Sequence, residues 1–290
     1  MEGIEKGVVC VTGGTGYIGS WLIMRLLEHG YTVHTTIRSD PDGKDLSYLT
    51  KQPGASERLH IFHADLNEPN SFDAAIKHCI GVFHVAHPIE VPNDEPAEVV
   101  TRRCVEGTLG LLRSCLNSTT VKRVVLTSST ANIVGSTKKV DIIDETLWTD
   151  VDCLRGLHRF RGMAYLESKI MTERAALEFA DHHGLNLVTV LPSNVTGPFL
   201  TPHIPSSVSL ALAMILGDKS KYKLLLRAQL VHIEDVVSAH IFLFENASAK
   251  GRYICSSHPL PIDEIYGFMD QFQKGSQNEA LHNPLPSQAA

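Results

Sequence analysis

Along the first two-thirds of the chain, short apolar runs alternate with longer stretches whose apolar positions recur every three or four residues. GVVCVTG (7–13) is a branched apolar run closed by glycine and reads as a buried strand. YIGSWLIMRLLEHG (17–30) places Ile18, Leu22, Leu26 and Leu27 on one helical face and stops at Gly30. TVHTTIR (32–38), LHIFHADL (59–66), GVFHVAHP (81–88), KRVVLTSS (122–129) and LNLVTVLP (185–192) repeat the strand pattern. Between them SFDAAIKHC (71–79), EVVTRRCVEGTLGLLRSCLN (98–117) and a stretch around 163–183 read as helices. This alternation predicts an α/β fold, a doubly wound parallel sheet of Rossmann type with helices on both faces.

After Pro192 the rhythm changes. A helix is expected near 206–217, then one in DVVSAHIFLFEN and a strand in GRYICSS, elements that partly rejoin the sheet and partly form a lid. From Lys274 the chain is polar, without period, and rich in Pro, Ser, Gln and Asn, as a disordered tail would be. The expected division is a nucleotide-binding core carrying the catalytic residues over 6–192, a mixed core and substrate lobe over 193–273, and the tail over 274–290.

Composition narrows the function classes. A formal net charge of −6 offers no basic face for nucleic acid or anionic lipid. No apolar run reaches the roughly 18 residues of a membrane helix. The start, MEGIEKGVVCVTGG, reaches a strand pattern at once, so no signal peptide is expected. Cys10, Cys79, Cys104, Cys115, Cys153 and Cys255 are scattered without a C-x-x-C pair, as expected of reduced thiols in a cytosolic protein. His34, His63 and His84 lie on different strands and no H-E-x-x-H occurs, so no metal site is expected. Nothing fixes the oligomeric state, and a monomer is compatible with the sequence.

TGGTGYIG (12–19) stands between the first strand and the first helix. Gly13 suits a tight turn, Gly16 the approach of a pyrophosphate, and Gly19 close packing of helix on strand. The helix start supplies free N–H groups to the phosphates. Arg38, at the end of the second strand, with Lys44 beyond it, favours a ribose 2′-phosphate and so NADP(H). Asp65, closing the third strand, sits where an adenine would be met or is a turn former. YLESK (165–169) sets Tyr165 and Lys169 one helical turn apart on one face. A neighbouring ammonium is expected to pull the phenol's pKa down toward the range useful for acid catalysis. TSS (127–129) ends a strand at the carboxyl edge of the sheet, where Ser129 would orient a substrate oxygen against Tyr165. His87 ends the fourth strand, either as a pocket wall or as a solvent-facing residue before Pro88. Trp148 reads as a packing anchor ahead of the helix that carries Tyr165.

Taken together, TGGTGYIGSWLIMRLLEHGY, GVFHVAHPI, VVLTSS, YLESK, GPF and VHIEDVVSAHIFLFENASAKGRYICSS resemble the extended short-chain dehydrogenase/reductase superfamily. More narrowly, the chain resembles the plant dihydroflavonol reductase and vestitone reductase group. The resemblance implies a catalytic trio of Ser129, Tyr165 and Lys169. It also implies NADP(H) contacts at Gly13, Thr15, Tyr17, Ile18, Arg38, Lys44, Asp65, Leu66, Val85, Ala86, His87, Tyr165, Lys169, Pro192, Val195 and Ser207. Gln229 matches a position that touches the flavonoid ring. The implied activity is NADPH-dependent reduction of a ketone on a flavonoid-like or other polycyclic plant metabolite.

Three departures qualify this expectation. The asparagine that reads B-ring hydroxyls in dihydroflavonol reductases is matched by Asn132 only with a gap, so its role is not carried over. The NWYCY signature of cinnamoyl-CoA reductases is replaced by RGMAY, which argues against that activity. Relatives continue past YICSS with a further strand–helix lobe, whereas here a single helix (PIDEIYGFMDQF) and the tail are expected to follow. Two alternatives stand beside the reductase: NADP-linked oxidation of an alkaloid hemiacetal or alcohol, and a cofactor-binding protein without turnover.

Overall fold

The computed structural model describes residues 6–39, 43, 45–88, 95–135, 141–156, 163–213, 216, 218–221 and 229–257. Lys44, the expected terminal helix and the 274–290 tail lie outside the described residues. The strands are β1 (Val8–Thr12), β2 (Thr32–Ile37), β3 (Leu59–His63), β4 (Gly81–His84), β5 (Arg123–Thr127), β6 (Leu187–Pro192), β7 (Asn194–Thr196), β8 (Leu230–His232) and β9 (Gly251–Cys255). The helices are α1 (Tyr17–Glu28), α2 (Ser47–Thr50), α3 (Ala55–Arg58), α4 (Asp73–Ile76), α5 (Ala97–Asn117), α6 (Val151–Gly156), α7 (Met163–His183), α8 (Ser206–Ala211) and α9 (Ile233–Glu245).

Seven strands form one parallel sheet in the order β3-β2-β1-β4-β5-β6-β9. Alternation along β1 explains why helices cover both faces. Val9 and Val11 point to one side, where they join Leu22, Ile23 and Leu26 of α1 and Val236, Val237 and Ile241 of α9. Cys10 points to the other, with Leu111 and Leu112 of α5 and Ala176 and Ala180 of α7. Strands buried on both faces need apolar residues at every position, hence the continuous runs in the sequence. Each fully buried Leu or Ile contributes roughly 1.5–3 kcal/mol. The parallel β9 pairs with β6, so GRYIC rejoins the sheet as its pattern indicated.

Some expectations change in extent. SFDAAIKHC gives only the single turn α4, because His78 takes φ 65° and breaks the helical path. The described helix after Pro205 ends at Ala211 rather than 217. A separate parallel pair, β7 with β8, was not signalled, since three residues in each strand are too few to show a period. Among the described residues no helix is long and apolar enough to cross a membrane. The cysteines whose side chains are described are all free thiols, and Cys10, Cys79, Cys104 and Cys115 are buried.

Candidate active site

The strand order reverses at β1, which has β2 on one side and β4 on the other. The crevice above the carboxyl ends of β1 and β4 is where open α/β sheets take their ligands. Gly13 turns the chain there with φ 72°, and a Cβ on it would lie 3.0 Å from Ala86 Cα. A Cβ on Gly19 would lie 2.3 Å from the Gly13 carbonyl oxygen, so α1 packs against the turn as only glycine allows. Gly16 caps α1 without any side-chain hydrogen bond. The first N–H groups of the helix therefore face the crevice mouth without a capping partner, a setting suited to phosphate.

A buried relay fixes this turn to its neighbours. Thr12 Oγ1 accepts from the N–H groups of Val85 (3.1 Å) and Ala86 (3.0 Å), which leaves its own proton for His84 Nδ1 at 2.9 Å. His84 Nε2 then donates to Thr108 Oγ1 on α5 at 3.1 Å. Burial, with Lys169 nearby, lowers the His84 pKa to about 3, so the ring is neutral.

Arg38, Leu66 and Pro192 stand at or just past the carboxyl ends of β2, β3 and β6, on the same edge of the sheet. Thr15 O accepts from Tyr48 Oη (3.3 Å), and Tyr17 Oη donates to Gly197 O (3.2 Å), tying the glycine turn to the segment after β7. Ile18 is half-buried at the start of α1, and Arg38 is exposed just past β2. Asp65 Oδ1 accepts from Asn67 N (2.8 Å) and Asn67 Nδ2 (2.7 Å), the turn-forming role. The Leu66 backbone is pressed against Gly107 of α5. Val85 packs on the core beside α1, and Pro192 ends β6. Val195 is buried in β7, and Ser207 is half-buried in α8. The Gln229 carbonyl accepts from Asn194 N (3.1 Å), which leaves its side chain outside that strand pairing.

Tyr165 and Lys169 project from α7 one turn apart. Lys169 is 7% exposed, and its Nζ donates to Thr127 O, the last carbonyl of β5, at 3.0 Å. That bond brings the ammonium to the strand end that leads into Ser129. Burial pushes the Lys169 pKa down to about 8, against the raising influence of Cys104 and Glu173. The expected lowering of the Tyr165 pKa is reversed. Burial of the phenol pushes it up to about 12, while the Lys169 ammonium bonds to Thr127 O.

The Tyr165 hydroxyl has no hydrogen-bond partner among the described residues, and its ring meets His87 edge-on with centroids 5.6 Å apart. His87 is thus a wall of the site. Its Nε2 lies 3.1 Å from Ser168 Oγ, whose proton goes to Tyr165 O at 2.8 Å, so His87 donates to the serine. Ser129 is half-buried and its Oγ accepts from Ala131 N at 3.2 Å. Ser128 points the other way, into the core, and donates to Glu173 Oε2 at 2.7 Å. Asn132 is also fully buried and faces Glu173, which agrees with leaving it out of substrate recognition.

Two residues central to this geometry were not singled out in the sequence. Glu173 extends the Tyr165–Lys169 spacing by another four residues, and Arg252 is the lone charge in the apolar strand GRYIC. Arg252 lies 3.7 Å over the Trp148 ring, which confirms that tryptophan as a packing anchor.

A glycine turn at the switch point and a Tyr–Lys pair beside a strand-end serine define a nucleotide-linked oxidoreductase of short-chain dehydrogenase/reductase type. The chain belongs to the NAD dependent epimerase/dehydratase family, whose model matches residues 9–255. It is 49% identical to vestitone reductase of Medicago sativa over 90% of this chain and 79% of that one. The crystal structure of that alfalfa enzyme superposes with a TM-score of 0.77, at 45% identity, covering 90% of this chain and 80% of that one. Noscapine synthase SDR1 of Papaver somniferum is 50% identical over 93% of this chain and 79% of its own. Gre2 of Candida albicans, solved in complex with NADPH, gives a TM-score of 0.73 at 26% identity, covering 87% and 79%.

Proposed function

We propose that this chain is a cytosolic reductase that uses NADPH to reduce a ketone on a flavonoid-like or other polycyclic plant metabolite. The observation that carries the reading is the Tyr165 phenol, without a hydrogen-bond partner among the described residues and edge-on to His87, one turn from an ammonium bonded to the strand end that leads to Ser129. The residues fit a dinucleotide: the turn at Gly13, Gly16 and Gly19 is a cradle that added Cβ atoms would fill, and the α1 start has no side-chain capping bond. Thr15, Tyr17 and Ile18 would hold the pyrophosphate side, Arg38 with Lys44 the 2′-phosphate, and Lys169 the nicotinamide ribose. When bound, the nicotinamide supplies the hydride that the carbonyl carbon accepts.

The protein's own groups do the rest. Burial keeps Tyr165 protonated at neutral pH, so the phenol is in the form that donates to the carbonyl oxygen. Ser129 already accepts from Ala131 N–H, which leaves its own proton free for the same oxygen. Lys169 holds positive charge below pH about 8, where it favours negative charge building on that oxygen. Gln229 would touch the fused rings of the substrate.

The likeness to noscapine synthase, equal in extent to that with vestitone reductase, favours a second reading: the same groups running NADP⁺-linked oxidation of an alcohol or hemiacetal. Titration with NADPH and NADH, followed by turnover of ketones with NADPH and of alcohols with NADP⁺, tests both. We expect NADPH to bind at least about tenfold more tightly than NADH, with Arg38→Ala erasing most of the difference. Equal affinities would overturn the NADPH assignment, and faster alcohol oxidation at neutral pH would select the second reading.

A further inference from the structure

We propose that Glu173 is a positioning residue that sets the loop carrying Ser129 against the helix carrying Tyr165 and Lys169. The inference rests on the reductase reading and deepens it. Glu173 is fully buried, where an ionised carboxylate survives only if its oxygens are satisfied. Here they are. Oε2 accepts from Ser128 Oγ (2.7 Å), Asn132 Nδ2 (2.5 Å) and Arg252 Nη2 (3.2 Å), and Oε1 from Thr189 Oγ1 (2.8 Å) and Arg252 Nε (3.0 Å).

These donors come from separate parts of the fold. Ser128 leaves the end of β5, Asn132 ends the 3-10 turn Thr130–Asn132, Thr189 is in β6 and Arg252 in β9. Ser128 and Asn132 bracket Ser129, so the carboxylate holds both ends of the segment whose hydroxyl must meet the substrate. Ser129 itself sits extended, at φ −160°, as the cap of that turn. Tyr165, Lys169 and Glu173 follow each other at four-residue spacing on α7, so one carboxylate references the loop to the helix face that bears the other two groups.

Arg252 extends the reference frame. Its Nη1 donates to the carbonyls of Glu145 (2.8 Å) and Leu147 (2.6 Å), and its guanidinium lies over Trp148. The last described strand and the loop before α6 are therefore tied to the same carboxylate. Glu173 touches no reacting atom. Its effect passes through Ser128 and Asn132 to Ser129, and through α7 to Lys169.

Glu173→Gln keeps the shape and removes the charge, and Ser128→Ala removes one tether while leaving the ion pair with Arg252 intact. Hydrogen–deuterium exchange on the cofactor-free proteins reads the loop directly. Exchange at residues 129–133 should accelerate at least tenfold in Glu173→Gln, and less in Ser128→Ala, with the strands β1 to β3 unchanged. At saturating ketone and NADPH, kcat should fall 10- to 100-fold in Glu173→Gln, with KM within threefold and the NADPH Kd within twofold.

Where Glu173→Gln does not fold, Ser128→Ala carries the test, with kcat reduced three- to tenfold. Wild-type exchange in the loop of folded variants, or an unchanged kcat, overturns the positioning role. Loop exchange that responds as expected in a protein whose wild type turns over no carbonyl or alcohol would sink the reductase reading and leave the positioning role standing.

Discussion

The glycine turn after β1 and the polar cluster around Glu173 are built by different means. The turn is made of backbone: three glycines spaced three apart, a left-handed φ at Gly13, and a helix start with no side-chain capping bond. The cluster is made of side chains from the segment after β5 and from β6, α7 and β9 that meet on one buried carboxylate. Backbone can bind a phosphate whose position hardly varies, because N–H groups need only be left free and approachable. Orienting a substrate oxygen to fractions of an ångström needs side chains braced by a second set of contacts. The two regions therefore should fail differently when disturbed.

The largest contrast is expected from Tyr165→Phe. It removes the phenolic proton while preserving the ring that meets His87 edge-on. Carbonyl reduction should drop by about 10³-fold, within the usual range for a lost general acid, while the NADPH Kd shifts less than about twofold. Single-turnover rates and nucleotide fluorescence on the same preparation check the pair of values. Near-wild-type reduction would remove Tyr165 from the mechanism.

Gly19→Ala should produce the mirror image. The added Cβ would fall 2.3 Å from the Gly13 carbonyl oxygen, a backbone atom that cannot swing aside. The turn must open, and NADPH affinity should fall by about 10- to 100-fold, a loss of about 1.4–3 kcal/mol. The Ser128–Glu173 contact lies outside the altered turn and should persist, so exchange at residues 129–133 should remain as in the wild type. Loosening of both regions at once would mean they are one unit, and the distinction between them would fail.

The same contrast explains what was legible in the sequence. The glycine turn is contiguous, so its spacing and its place between a strand and an amphipathic helix located it, and the strand runs announced a sheet buried on both sides. Tyr165 and Lys169 were legible because a helix brings every fourth residue to one face. Glu173 continues that spacing, but its meaning depends on Arg252, which stands 79 residues further on. No local period encodes such a pairing. The pKa of Tyr165 was misjudged for a related reason. Spacing puts the lysine near the tyrosine, but only the fold shows its Nζ bonded to Thr127 and the phenol desolvated. Asp65 was left open between two roles, and its bonds to Asn67 support the turn.

The smallest effect compares two buried histidines, one behind the glycine turn and one under the end of β5. His84 belongs to the relay behind the glycine turn, and burial lowers its pKa to about 3. His240 on α9 lies under the end of β5, where its Nδ1 donates to Val236 O (2.7 Å) and its Nε2 accepts from Thr127 Oγ1 (2.7 Å). Burial lowers its pKa to about 4. Both folded values lie below the roughly 6.5 of an unfolded histidine, so the unfolded chain binds more protons between them. The stability each contributes is fully present above pH about 6.5 and is lost as pH falls toward 3–4. Between pH 7 and pH 5 each should remove about 2 kcal/mol from the unfolding free energy. Urea unfolding at pH 7, 6 and 5 for wild type and for His240→Gln isolates one share, since the other titrating groups are common to both. The variant, although less stable at pH 7, should lose about 2 kcal/mol less than wild type over that interval. Parallel pH profiles would place His240 in contact with water, and the end of β5 would then be the wetter of the two regions.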